Sequence, residues 1–246
     1  MLLLASVAIA TGCRPSAPEA LPFYLDASLS PQWLTTREAA ADGVHRVDRF
    51  ALVDQHGLSV TEQTFAGKVT LVHFFFAQCS DVCPMTTRNV AATLSAIGPN
   101  PRMQVLSYSI TPEHDSVPEL KRFATHHNLT DARWHLLTGG RALIERLARQ
   151  SFFARIGRDS TYGTASIAHT ESVLLVDSAG RLRGIYAASL PLEMEQAAAD
   201  ARTLLALPSA AAALSGVPRT ALAAAAPCAD HRRGLSRSRR VPCDRV

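Results

Sequence analysis

The sequence lacks several features that would assign it to common classes of protein. Its apolar N-terminal run, residues 2–10, is too short to span a bilayer. Charged residues make up only 19% of the chain and hydrophobic residues 47%, so global disorder is excluded and a buried core is expected. With 246 residues, the chain has room for one domain of ordinary size and for tails.

The body of the chain also lacks an excess of positive charge. Residues 208–246 carry seven arginines and two aspartates, a net charge of +5, which leaves −1 for residues 1–207 of a chain whose total is +4. No basic face interleaved with aromatic residues is found in that body, so we expect no nucleic-acid partner. Residues 208–246 are rich in alanine, then in arginine and serine, and are predicted to be a disordered basic tail.

The N-terminus resembles a bacterial export signal. Residues 2–10 match its hydrophobic region, and the following ATGC resembles a lipobox in which Cys13 would be lipidated. The alternative is an ordinary cleaved signal behind a mis-assigned start codon. Either signal takes the chain out of the cytoplasm, where its cysteines face oxidation. We therefore expect a lipoprotein on the periplasmic side of the inner membrane, anchored through Cys13.

The composition and the hydrophobic pattern of the sequence divide the chain into four segments. Residues 1–13 are the export signal, and residues 14–45 are predicted to be a tether because their first part is rich in proline, alanine and serine. Residues 46–207 carry the periodic patterns of a folded domain, and residues 208–246 are the tail. The folded segment begins with RFALVDQHGLSV, a predicted hairpin, and KVTLVHFFF, a predicted strand buried on both faces.

Strands and helices then alternate. A helix is predicted after Pro84, followed by the strand MQVLSYSI and by a helix with Asp115 or Ser116 as its cap. The pattern is completed by a short strand (RWHLLTG), a helix (RALIERLARQ), a hairpin built on ESVLLVD and RLRGIYA, and a closing helix. This order predicts an α/β layered domain with a central mixed β-sheet flanked by helices, and a final hairpin at one edge of the sheet.

The chain has no CxxC motif of the thioredoxin kind, but it has a CxxxC motif at Cys79 and Cys83. Cys79 is predicted in the loop after a central strand and Cys83 at the mouth of the next helix, where a thiol should ionise more easily. Residues four apart on a helix have Cβ atoms roughly 5–6 Å apart, which suits two ligands of one metal ion. A disulfide or a redox pair fits the same spacing, so the motif alone leaves all three open.

A metal site needs further ligands, and two thiolates favour a soft ion such as Cu(I) with imidazole as a common third ligand. His73 lies inside an apolar strand and is expected to be packed or hydrogen-bonded, and His126 and His127 end a predicted helix. His169 lies in a polar loop just before a strand, which is where ligands gather in this class of fold.

Four segments together resemble the Sco/SenC family of copper-binding assembly proteins. They are FFFAQCSDVCPMTTRNV, QVLSYSITPEHDSVPELKRFA, WHLLTG and IAHTESVLLVDSAGRLRGIY. The resemblance implies a thioredoxin-like fold and a membrane anchor. It also implies copper, as Cu(I), Cu(II) or both, with Cys79, Cys83 and His169 as the ligands. The implied role is a metallochaperone for the binuclear copper site of cytochrome c oxidase, or a reductase of that site's cysteines. Other copper chaperones or thiol reductases would then be further partners.

The sequence departs from that family at three positions near the motifs. Ser80 replaces a proline between the cysteines, Thr111 replaces an acidic residue, and Ala168 replaces an aspartate before the histidine. In the family, the carboxylates at two of these positions would orient the imidazole or stabilise the charge of the site, and this sequence lacks them. The three ligand positions are retained.

Three other functions remain open at this stage. A thiol–disulfide oxidoreductase is disfavoured by the CxxxC spacing and by the absence of proline between Pro118 and Pro191, where thioredoxins carry one before a strand. A thiol peroxidase is disfavoured because Cys83-Pro84 reverses the expected order, although Thr86 and Arg88 are nearby. A structural Cys79–Cys83 disulfide in an exported binding domain is the third alternative.

Overall fold

The computed structural model describes residues 20–79, 82–154, 158–159, 166–167 and 171–207. The predicted lipidation site Cys13, the predicted ligand His169 and the predicted tail, residues 208–246, lie outside these residues.

The described chain alternates between strands and helices in the predicted order. The helices are α1 (Thr36–Ala39), α2 (Val82–Ile97), α3 (Val117–His126), α4 (Arg141–Arg146) and α5 (Pro191–Ala206). The strands are β1 (Ala51–Val53), β2 (Ser59–Thr61), β3 (Val69–Phe75), β4 (Met103–Ser109), β5 (Trp134–Leu137), β6 (Arg158–Asp159), β7 (Ser166–Ile167), β8 (Ser172–Val176) and β9 (Leu182–Ala187). A 3₁₀ turn (Glu62–Phe65) follows β2, and a π-helical turn (Leu147–Ser151) extends α4.

Five strands form the central sheet in the order β5-β4-β3-β8-β9. Strands β3, β4 and β5 are parallel, whereas β8 and β9 are antiparallel to their neighbours. The sheet is therefore mixed, as predicted, and the β8–β9 hairpin forms one edge. Strand β3 is central and buried at every position, which explains its uninterrupted apolar, β-branched and aromatic sequence.

Two apolar clusters cover the two faces of this sheet. On one face, α2, α3 and α5 pack over residues such as Leu71, Phe75 and Val105. On the other face, the β1–β2 hairpin and α4 pack over Val72, Phe74 and others. The cysteines Cys79 and Cys83 belong to the first cluster. The two cysteines therefore lie where α2 meets the end of β3.

The predicted first hairpin is present, with β1 and β2 antiparallel. Its turn is held by Asp54, which is 1% exposed and accepts hydrogen bonds from the backbone N–H groups of His56 and Leu58 at 2.8 and 3.0 Å. Gly57 has a φ of +76°, a conformation that side-chain-bearing residues rarely adopt. The DQHG sequence thus specifies the turn through one carboxylate and one glycine.

Part of the segment expected to be a tether packs against the domain. Leu21 and Phe23 are buried, and the N–H of Tyr24 donates to the carbonyl of Leu182 at the start of β9. Arg183, which is 1% exposed, donates to the carbonyls of Leu21 and Pro22 at 2.7 and 3.0 Å. Arg183 of the edge strand therefore holds residues 21–22 against the domain.

Within the described residues, no helix is both long enough and apolar enough to cross a membrane.

Candidate metal centre

Cys79 and Cys83 lie where the sequence predicted them, on either side of a loop-to-helix junction. Strand β3 ends at Phe75, the loop carries Cys79, and Cys83 is the second residue of α2, with Pro84 following in the first turn. Both cysteines are buried and neither forms a disulfide. Strand β3 aims the loop at the carboxyl edge of the sheet, which is where sites form in open α/β folds.

Hydrogen bonds connect the two cysteines to each other and to the preceding turn. The N–H of Cys83 donates to the sulfur of Cys79 at 3.4 Å. The N–H of Cys79 donates to the carbonyl of Phe76 at 3.2 Å, and the backbone N–H of Phe76 bonds to the sulfur of Cys83. The two sulfurs are thus held together by the backbone of a short turn rather than by a covalent bond.

The acidity of Cys83 differs from what its position at a helix N-terminus predicts. Burial is the largest cause that raises its pKa, to about 12, and the hydrogen bond with Cys79 and the nearby Cys79 and Asp115 add to the rise. The hydrogen bond from the N–H of Phe76 opposes the rise without cancelling it. The expectation of an easily ionised thiol is therefore wrong for Cys83 in the metal-free protein, because desolvation outweighs the helix N-terminus.

This raised pKa predicts slow alkylation of Cys83 that accelerates with pH. The pKa of Cys83 is higher in the folded protein than in the unfolded chain, where it is about 8.5. The stability that the protonated thiol contributes is therefore present below about pH 8.5 and is lost as the pH rises towards the folded pKa. In a Cys79→Ser protein, the alkylation rate of Cys83 should keep rising about tenfold per pH unit beyond pH 9. The same protein in denaturant, as the control, should level off near pH 9. A plateau near neutral pH in the folded protein would contradict the burial argument.

A buried carboxylate beside the cysteine loop was not identified as part of the site from the sequence. Asp115 is fully buried and accepts hydrogen bonds from the N–H of Ala77 at 3.2 Å and the hydroxyl of Ser109 at 2.5 Å. The sequence pattern offered Asp115 only as one of two caps for α3, and the cap is Ser116, whose side chain makes no capping bond. The TPEHD sequence between a strand and a helix was the signal that could have identified it.

The histidines expected to have ordinary roles have them. His73 is buried in β3, its Nδ1 lies 2.9 Å from the hydroxyl of Ser107, and burial lowers its pKa to about 4. His126 ends α3 and His127 caps it. Outside the predicted set, His135 bonds to Asp54 at 3.1 Å, on the hairpin side of the molecule.

The described residues contain no group of three or more His, Cys, Asp or Glu side chains that could hold a metal ion. The predicted third ligand, His169, lies outside those residues, three residues before β8 in the sequence. Because β8 is antiparallel to β3 and pairs Val173 with His73, it begins at the same edge of the sheet that the cysteine loop leaves.

The chemistry available at this edge is that of two buried, unpaired thiols with little contact with water. They can bind a soft cation after losing their protons, or be oxidised together to a disulfide. A side chain of α2, Asn89, donates to the carbonyl of Ala188 at 2.7 Å, and the N–H of Ala188 donates to the carbonyl of Glu171 just before β8. The helix that carries Cys83 is thereby tied to the strands that complete the edge.

Comparison with known proteins shows to which family the chain belongs. The sequence model of the SCO1/SenC family matches residues 38–206, which include both cysteines, the Asp115 loop and the β8–β9 hairpin. The chain belongs to the SCO1/SenC family. This SCO1/SenC protein is 29% identical over 144 residues to the SCO1 protein homolog of Bacillus subtilis, a match covering 58% of this chain and 74% of the relative. It is 28% identical over 150 residues to the SCO2-like protein RC0895 of Rickettsia conorii, covering 59% of this chain and 71% of that protein.

Solved structures of the family share the fold. BsSco, described with a disulfide switch and as a member of the Sco family of cytochrome c oxidase assembly proteins, is 26% identical, with a TM-score of 0.59. That match covers 67% of this chain and 95% of BsSco. Bradyrhizobium japonicum ScoI with copper bound is 27% identical, with a TM-score of 0.55 over 65% of this chain and 99% of ScoI. The prediction of a thioredoxin-like mixed sheet flanked by helices is confirmed.

Proposed function

We propose that this SCO1/SenC protein is a metallochaperone that carries copper on Cys79, Cys83 and His169. The observation that carries the proposal is the pair of free, buried cysteines on either side of the loop-to-helix junction at the carboxyl edge of the sheet. Two neighbouring sulfurs favour a soft ion, and Cu(I) is among the ions that thiolates select, with imidazole as a suitable further ligand for copper. Copper is here the cargo, to be released to a partner.

The protonation of the Cys83 thiol supports a carrier that both binds and releases its metal. With its pKa raised to about 12, Cys83 of the metal-free site holds its proton at neutral pH. Metal binding must displace that proton, so affinity depends on pH and on both thiols being reduced. A fall in pH, or oxidation to a Cys79–Cys83 disulfide, would promote release.

The position of His169 in the chain supports its assignment as the third ligand. It precedes Ser172, the first residue of β8, by three residues, which corresponds to a chain length of at most roughly 11 Å. Strand β8 begins beside the carboxyl end of β3, from which Cys79 follows. The short connection between His169 and β8 therefore supports His169 as the ligand that joins the two cysteines.

The proposed partner is the subunit of cytochrome c oxidase that carries the binuclear copper site. The relative BsSco belongs to a family described as cytochrome c oxidase assembly proteins, and ScoI has been solved with copper bound. In this proposal the chain acts on the periplasmic side of the inner membrane, held there by a lipid on Cys13. Other copper chaperones or thiol reductases would load the site or keep it reduced.

A competitive titration tests the role of His169. Reduced wild-type protein should bind one Cu(I) tightly against a chelator, and His169→Ala should bind it at least tenfold more weakly because one of three ligands is lost. His56→Ala is the matched control, since His56 is an exposed histidine in the distant β1–β2 turn. Equal affinity in the His169→Ala and wild-type proteins would remove His169 from the site.

A thiol–disulfide reductase is the second candidate, and the adjacency of two free cysteines favours it. The N–H of Cys83 bonds to the sulfur of Cys79, so the pair can close into a disulfide with little movement of the chain. Reduction of a partner disulfide would leave Cys79 and Cys83 oxidised. This activity would persist in the His169→Ala protein, whereas copper delivery would not, which separates the two functions.

A further inference from the structure

A carboxylate with no exposure to solvent lies between β4 and α3, one loop away from the cysteines. Asp115 accepts hydrogen bonds at Oδ2 from the hydroxyls of Ser109 at 2.5 Å and Thr111 at 3.0 Å, and from the N–H of Ala77 at 3.2 Å. Burying a carboxylate is unfavourable unless its oxygens find donors, and here three donors converge on it. Such a group is retained when it holds other parts of the structure in place.

One of those donors belongs to the turn that carries the cysteines. Ala77 lies two residues before Cys79 and directly after Phe76. Phe76 contacts both cysteines through its backbone, since its carbonyl accepts from the N–H of Cys79 and its N–H bonds to the sulfur of Cys83. A displacement of Ala77 would therefore move Phe76 and change the separation of the two sulfurs.

The loop that holds the carboxylate is itself fixed. The N–H of Thr111 donates to the hydroxyl of Ser109 at 3.1 Å, and the N–H groups of His114 and Asp115 donate to the carbonyl of Thr111 at 2.8 and 3.0 Å. The carboxylate thus belongs to a hydrogen-bonded turn at the end of β4. Through its bond to the N–H of Ala77, it restrains the neighbouring loop after β3.

We propose that Asp115 is a positioning residue, which fixes the turn of residues 76–79 through the N–H of Ala77 and so sets the separation of Cys79 and Cys83. The inference rests on the proposed function in one respect, that copper is the ligand for which this separation is set. The same carboxylate also sets the geometry in which the two sulfurs form a disulfide, and this can be measured without copper.

Two substitutions distinguish a positioning role of Asp115 from an effect of its charge. Asp115→Asn keeps, at the position of Oδ2, an oxygen that can accept from the N–H of Ala77 and the hydroxyls of Ser109 and Thr111, but it removes the charge. Asp115→Ala removes both. If Asp115 acts by position, Asp115→Asn should retain Cu(I) affinity within about twofold of wild type, whereas Asp115→Ala should lose about tenfold or more, the usual size of such effects around a metal site.

Asp54→Ala is the matched control. Asp54 is a carboxylate of similar burial that also accepts backbone N–H bonds in a turn, but its turn joins β1 and β2 on the other face of the sheet. It should lose thermal stability and bind Cu(I) within twofold of wild type. Thr111→Val removes only one donor to Asp115 and should weaken Cu(I) binding about threefold, which keeps the test available if Asp115→Ala fails to fold.

The experiment measures Cu(I) affinity by chelator competition and, on the metal-free proteins, the equilibrium of the Cys79–Cys83 disulfide with glutathione. We expect Asp115→Ala to shift both quantities, and Asp115→Asn and Asp54→Ala to shift neither. Wild-type affinity and a wild-type disulfide equilibrium in both Asp115→Ala and Thr111→Val would overturn the proposal, as would an equal loss in Asp54→Ala. If the wild type binds no copper, the proposed function fails, and the glutathione equilibrium alone decides the role of Asp115.

Discussion

Replacing either cysteine should remove tight copper binding almost completely. In Cys79→Ala or Cys83→Ala protein, one thiolate and the imidazole of His169 would remain, and a soft ion such as Cu(I) loses much more from a missing thiolate than from a missing nitrogen ligand. We expect the affinity of reduced protein for Cu(I) to fall by a factor of at least about 1,000, or roughly 4 kcal/mol. Chelator competition on reduced protein under anaerobic conditions measures the difference.

Serine variants provide the control for packing. Cys79 and Cys83 are buried in the apolar cluster beneath α2, so their replacement by alanine also leaves a small cavity. Cys79→Ser and Cys83→Ser keep the shape of the side chain and a polar γ atom but not the thiolate, and they should lose as much affinity as the alanine variants. Full affinity in either cysteine variant would show that the metal is held elsewhere.

Replacing Arg183 should produce a large loss of stability outside the site. Its guanidinium is buried, donates to two carbonyls of the N-terminal segment, contacts Asp177 at 3.1 Å and lies 3.8 Å from the ring centroid of Phe23. Arg183→Met would leave those buried carbonyls without their donor and would weaken the pairing of Asp177, which keeps Arg181. We expect the free energy of unfolding to fall by about 3 kcal/mol.

Urea unfolding measures that loss, and limited proteolysis locates it. The segment around Phe23 should become sensitive to protease before the rest of the domain does, because Arg183 holds it to β9. Arg122→Met is the control, since Arg122 is an exposed arginine paired with Glu119 on α3 and should change stability by less than about 1 kcal/mol. A loss below about 1 kcal/mol in Arg183→Met, with the N-terminal segment still protected, would contradict this account of the clamp.

The central sheet and its covering helices were predictable because each carries a local pattern. The apolar run of β3, the proline in the first turn of α2 and the periodic residues of α5 each specify an element without reference to the rest of the chain. The positions of Cys79 and Cys83 followed from those elements. Their spacing placed them at the end of a strand and at the start of a helix, where the structure has them.

The parts that were not predictable depend on contacts between residues far apart in the sequence. The hydrogen bond from Ala77 to Asp115 spans 38 residues, and that from Arg183 to Leu21 spans 162. From the local sequence alone, an arginine in a strand and an aspartate before a helix are both expected to be exposed to solvent. Only the folded chain shows that each is buried, and that one holds the N-terminal segment while the other holds the cysteine loop.

The raised pKa of Cys83 has the same origin. The position at a helix N-terminus is visible in the sequence and favours the thiolate, whereas the burial that outweighs it comes from packing with residues of β3 and α5. A prediction of thiol acidity from local position alone therefore has the wrong sign here.

The X-ray absorption spectrum of the copper-loaded, reduced protein tests the central claim most directly. It counts the sulfur and nitrogen atoms around the metal, and the account predicts two sulfurs and one nitrogen in the wild type, with the nitrogen lost or replaced in His169→Ala. A first shell without sulfur, or one unchanged in Cys83→Ala, would contradict the assignment of Cys79 and Cys83 as the copper ligands.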